Sequence, residues 1–135
     1  MSAETKNRYI EAVGRRKTAI ARVRITPSTK TSFVVNDKDL KEYFVTPDLQ
    51  SIAQEALSKS EIAEKFTVTV QVMGGGIHAQ AEAVRHGLSR TLVERDEVVK
   101  NTLKKLGFLK RDSRQVERKK FGLKKARKAP TWSKR

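Results

Sequence analysis

Two short runs in this 135-residue chain carry residue types that grip phosphate. Gly14-Arg15-Arg16-Lys17-Thr18 sets three cations in succession behind a glycine, and Gly74-Gly75-Gly76-Ile77-His78 sets three glycines ahead of a helical pattern. Cations neutralise phosphate charge, and backbone N–H groups at a helix N-terminus bind anions where glycine lets the backbone come close. Neither run completes a nucleotide-hydrolysis loop. The first lacks the leading glycine of G-x-x-x-x-G-K-[ST] and joins two strands. The second matches neither that pattern nor G-x-G-x-x-G, and no acidic residue is suitably placed for magnesium. A solvated turn is the bland reading of the first run, but the charge of the chain favours a phosphate-gripping turn extending across Arg22 and Arg24. For Gly74, Gly75 and Gly76, a tight strand–helix connection and contact with a nucleic-acid phosphate both stand.

Other chemistry finds little support. His78 and His86 are eight residues apart, about 80° round a helix, and neither cysteine nor a carboxylate cluster completes a metal set. No metal site and no cofactor are expected. Asp37 and Asp39 sit in a turn and most glutamates on helix exteriors, so no acid–base pair suggests an enzyme. Gly87 lies inside a helical run, where glycine costs about 1 kcal/mol against alanine. Either another element packs closely there, or a nucleic-acid backbone lies against the helix beside Arg85, His86 and Arg90.

Charge is the strongest signal. The net charge is +15, with 30 Lys and Arg against 15 Asp and Glu. Such a balance points to a polyanionic partner. A membrane suits it poorly: no window approaches the ~20 apolar residues of a span, and no basic amphipathic helix carries large aromatics. The opening MSAETKNRY has no signal-like apolar core and no transit-peptide pattern, and with cysteine absent a cytoplasmic setting is expected. The charge is also uneven. Residues 110–135 hold 12 of the 30 cations and two of the 15 acids. Three segments follow: a flexible N-terminus (1–7), a globular body (8–109) and a basic C-terminal tail (110–135). The tail's Arg111, Arg114, Arg118, Lys119, Lys120, Lys124, Lys125, Arg127 and Lys128 suit phosphate neutralisation without base readout. Trp132 offers a stacking surface for a base or ribose. Gly122 and Pro130 disfavour one long helix, so the distal tail is expected to be extended, to span roughly 85 Å if stretched, and to fold only against its partner.

The elements that position these groups follow from periodicity. Tyr9–Val13 and Ala19–Ile25 read as strands flanking a Gly14–Lys17 turn, with Ala19, Ala21, Val23 and Ile25 on one face. Phe33–Val35 is a third strand, ended by Asn36-Asp37. Thr46-Pro47 caps a helix whose Leu49, Ile52, Ala53, Ala56 and Leu57 face a core. Phe66–Met73 alternates as a strand. From Ile77 a helix aligns Ala81, Val84, Leu88 and Leu92, and Asp96 caps a last helix with Val99, Leu103 and Leu106 inward and Gly107 at its stop. The order βββαβαα predicts an α+β domain, helices against a small, mostly antiparallel sheet.

Together, Gly14 to Val23, the segment from Gly74 to Arg90, Arg111-Asp112 through Lys120, and the ending Lys124 to Pro130 with Ser133-Lys134-Arg135 resemble the bacterial-type family of small-subunit ribosomal protein nine. The resemblance runs from about residue 8 to the end. It implies a left-handed β-α-β crossover in the body and a structural role in the head of the small ribosomal subunit, bound to the 3′ major domain of the ribosomal RNA. It implies that Ser133, Lys134 and Arg135 contact the peptidyl-site tRNA. Arg15, Arg16 and Lys17, with the tail's basic pairs, would hold ribosomal RNA, and small-subunit proteins ten and fourteen would be neighbours. The chain departs from the family pattern in the Thr26–Thr31 loop, which lacks glycine, at Ala79 and Glu82, where glycine is usual, and at Thr131-Trp132. The residues alone leave two rivals: an RNA-processing enzyme or its basic subunit, and a DNA-compacting protein.

Overall fold

Alternation along β2 and β5 sets the architecture. The computed structural model of the chain describes residues 9–62 and 64–131. Strand β1 spans Ile10–Arg16, β2 Ala19–Pro27, β3 Ser32–Val35, β4 Lys38–Asp39 and β5 Phe66–Met73. They form one open sheet in the order β1-β2-β5-β3-β4, antiparallel except for the β3–β5 pair. Ala19, Ala21, Val23 and Ile25 of β2 and Phe66, Val68, Val70 and Val72 of β5 are buried on one face. Their alternating neighbours Arg22, Arg24, Thr67, Thr69 and Gln71 line the other face, because side chains switch sides at every residue.

The buried face is covered by helices. Helix α1 (Leu40–Tyr43) and helix α2 (Pro47–Ser60) lie in the connection between the parallel strands β3 and β5. Thr46 caps α2 by accepting the Leu49 N–H, and Pro47 fills the first turn, where its missing N–H costs nothing. Helix α3 (Ile77–Arg95) carries Ala81, Val84, Leu88 and Leu92 fully into the core. The fold is α+β, with a mostly antiparallel sheet packed against helices, as the sequence pattern predicts.

Three local expectations change, and one gains detail. Gly14 to Arg16 do not form the turn: β1 continues to Arg16, paired with Ala19, and only Lys17 and Thr18 reverse the chain. The reason lies across the sheet, where α3 packs so closely that an added Cβ on Gly14 would sit 1.9 Å from the Ala83 carbonyl oxygen. Asn36 does more than end β3. Its amide donates to the Val72 carbonyl and accepts the Val72 N–H, both at 2.9 Å, continuing the β3–β5 ladder by a side chain. Asp96 caps a 3-10 turn (Glu97–Val99) that leads into helix α4 (Lys100–Leu106). Leu106 is 43% exposed rather than inward. Gly107 reverses the chain in the left-handed region, and Phe108 fills the core place instead.

Candidate nucleic-acid interface

Strand alternation gives the neighbouring cations of the first motif different surroundings. Arg15 is exposed, on the open face with Arg22 and Arg24. Arg16 points the other way, toward α3, and its side chain is only 16% exposed. Its Nε donates to Glu82 at 2.6 Å, and its Nη1 donates to the carbonyl oxygens of Arg114 (2.6 Å) and Asp112 (3.4 Å). Lys17 tops the turn, and its carbonyl accepts from Arg111 at 3.4 Å.

The cations of α3 are similarly engaged. Arg85 pairs with Glu55 at 3.0 Å and lies over the Phe108 ring. Arg90 donates to the Val13 carbonyl at 2.6 Å, and the Nδ1 of His86 accepts the Arg15 N–H at 3.2 Å. Val13 and Arg15 lie on β1, an end strand of the sheet. His86 and Arg90 therefore cover polar backbone that an open edge would offer to a foreign strand. Burial holds the His86 imidazole below its usual range, the Arg90 and Arg111 charges add to that, and a hydrogen bond to the Leu109 backbone opposes it. The neutral ring is the form that can accept from Arg15.

Exposure and pairing sort the remaining cations. Arg22 and Arg24 share Glu11 at 3.3 and 2.8 Å, and Arg24 also lies over the Tyr9 ring. Their side chains are 52% and 40% exposed, and such surface pairs contribute only about 0–1 kcal/mol, so a phosphate can displace the carboxylate. Lys120 and Arg127 share Glu117 in the same exposed manner. Arg15, Lys17, Arg118, Lys119, Lys124, Lys125 and Lys128 are exposed and in no ion pair among the described residues. A cleft of about 200 Å³ separates the hairpin end from the start of the tail, lined by Arg15, Arg16, Arg85, Lys110 and Arg114 with Glu82 and Asp112 among them. Lys110, Glu82 and Asp112 are not among the candidate binding residues read from the sequence. Spacing along the chain gives no sign that they meet.

The glycines divide. A Cβ on Gly74 would lie 2.6 Å from the Thr18 carbonyl, and one on Gly75 would crowd Ala19, so both serve close packing against the hairpin. Gly76 has open space around it and stands at the N-terminus of α3. Gly87 meets protein: Val23 and Gly14 occupy the space beside it.

The tail leaves the body in two stages. Among the described residues, the apolar core ends at Phe108 and Leu109, whereas Val116 and Phe121 are 88% and 95% exposed. Residues 121–127 bend through turns around Gly122, with the Lys124 N–H donating to Lys128, so the distal tail is not extended throughout. Trp132, Ser133, Lys134 and Arg135 lie outside the described residues, as does the expected flexible N-terminus 1–7. Among the described residues, no group of three or more His, Asp or Glu is arranged to hold a metal ion, and no helix is long and apolar enough to cross a membrane.

A cationic turn, an arginine-bearing sheet face and a basic tail form one pattern, and it coincides with a family signature. The pattern of the family described as ribosomal protein S9/S16 matches residues 14–135. The chain belongs to the ribosomal protein S9/S16 family. As a member of it, the protein is an RNA-binding structural component of the small ribosomal subunit that serves translation, in a family that is generally non-enzymatic. The S9/S16 match begins at Gly14, the glycine against which α3 is packed, and takes in the whole tail.

Proposed function

We propose that the protein holds the 3′ major domain of ribosomal RNA in the head of the small subunit and extends its tail to the peptidyl-site tRNA. The observation that carries this reading is the division of the chain into a packed body and a tail whose described residues have exposed cations and, beyond Leu109, no place in the apolar core. A segment of that composition gains little by lying on its own domain and much by lying among phosphates. On the body, Arg15, Lys17, Arg22 and Arg24 are the cations best able to take phosphate, and the Gly76 end of α3 offers backbone N–H groups. Along the tail, Arg118, Lys119, Lys120, Lys124, Lys125, Arg127 and Lys128 follow the RNA backbone, and Trp132 stacks. Ser133, Lys134 and Arg135 meet the tRNA anticodon stem-loop. Small-subunit proteins ten and fourteen are neighbours. The body (8–109) and the tail (110–135) act as separate functional units.

Deleting Lys134 and Arg135 tests the tail's role. Subunits carrying the shortened protein are expected to assemble normally in sucrose gradients but to release peptidyl-site tRNA several-fold faster in filter-binding assays. Unchanged tRNA retention would remove the tRNA contact from the account.

A further inference from the structure

We propose that Arg16 is a positioning residue: with Glu82 it clasps the root of the tail, residues 110–114, onto the body and fixes the direction in which the basic tail departs. Strand parity sets the direction of the Arg16 side chain. Arg16 shares its face of β1 with Gly14, whose neighbour across the interface is α3, so its side chain is directed at the helix rather than at solvent. Arginine presents five N–H donors in a rigid fork, which lets one side chain hold several acceptors. Nε takes Glu82 of α3, while Nη1 takes the carbonyl oxygens of Asp112 and Arg114, residues almost a hundred positions away in the chain. A phosphate-binding arginine would leave its donors open. This one gives them to protein.

Neighbouring contacts serve the same end. Arg111 donates to the Lys17 carbonyl, so the tail root crosses the hairpin turn. Asp112 is doubly bonded by the Arg114 guanidinium (3.0 and 2.7 Å) and accepts the Arg114 N–H at 3.0 Å, which stiffens the root itself. Past Arg114, the hydrogen bonds of the described tail residues run within the tail. Among the described residues, the clasp thus marks the last hydrogen-bonded hold of the body on the chain. Holding that point limits the volume the cationic segment explores and raises its effective concentration at one side of the body. The clasp belongs to the protein free of RNA, and only its use rests on the reading of the tail as an RNA-threading segment.

The chain has no cysteine, so two engineered cysteines can carry nitroxide labels without background. One pair, Ser51→Cys on α2 with Val116→Cys just beyond the clasp, reports the tail root. A control pair, Ser51→Cys with Asn101→Cys, reports the body. In full-length protein without RNA, electron–electron resonance is expected to give a single narrow distance distribution for each pair. Adding Arg16→Ala, or separately Glu82→Ala, should lose the narrow peak of the tail pair while leaving the control pair narrow. Arg16→Lys keeps the charge but not the fork, and should also fail to restore the peak. A tail pair that is broad in the parent, or equally narrow in Arg16→Ala, overturns the clasp. Neither result bears on RNA affinity, which is measured separately.

Discussion

Arg15 and Arg16 are adjacent in sequence and opposite in surroundings because a strand turns successive side chains to opposite faces. Arg15 is left to solvent and Arg16 is held by Glu82 and the tail root. A reading by composition assigns both to phosphate. Only the register, with Arg16 opposite Ala19, separates them. The same holds for His86 and Arg90, whose cationic or polar tips are turned to β1 backbone. His86 gives stability a pH dependence. Burial holds the folded imidazole below the free value of 6.5, so as pH falls the unfolded chain takes up its proton first. Stability is therefore full above about pH 6.5 and declines below it, until the folded ring is protonated as well. Protonation of Nδ1 would also set one N–H against another at Arg15. His86→Gln, which retains an acceptor, should show a smaller loss of denaturation midpoint between about pH 7.5 and about pH 5.5. An identical loss in parent and variant would show that His86 does not carry this dependence.

At the scale of elements, the long alternating strands were legible because burial on one face leaves a period of two. The strand Phe66–Met73 and the buried face of β2 appear as the pattern predicts. The two-residue β4 and the single-turn α1 are too short to show a period, whereas the equally short β3 is marked by its Phe-Val-Val run. Glycine favours turns, but Gly14 serves here to let a helix approach a strand. That contact yields a graded prediction. A Cβ on Gly14 would meet backbone of α3 at 1.9 and 2.3 Å, whereas one on Gly87 first meets a Val23 methyl at 2.7 Å. Backbone can yield only by moving the helix. Gly14→Ala should therefore destabilise by about 3 kcal/mol or more, and Gly87→Ala by about 1–3 kcal/mol. Urea denaturation of the two variants checks the order, and a reversed order would contradict the packing described.

For the whole molecule, the division of charge was already clear from the sequence, whereas the path of the tail root was not. No local pattern announces that Asp112 and Arg114 return to Arg16, because that meeting depends on where α4 ends and the chain turns at Gly107. On the proposed function, the body supplies the fold while the tail supplies most of the sequence-independent grip on RNA. Beyond Arg114 lie Arg118, Lys119, Lys120, Lys124, Lys125, Arg127, Lys128, Lys134 and Arg135 with one acid, Glu117. Each phosphate neutralised contributes about 0.7–0.9 to the slope of log affinity against log salt. The most direct measurement compares full-length protein with a chain truncated after Arg114, titrated onto small-subunit ribosomal RNA across a salt series. Truncation is predicted to leave the circular dichroism of the body intact and to reduce the slope by about 4 or more. Equal slopes for the two proteins would contradict the account.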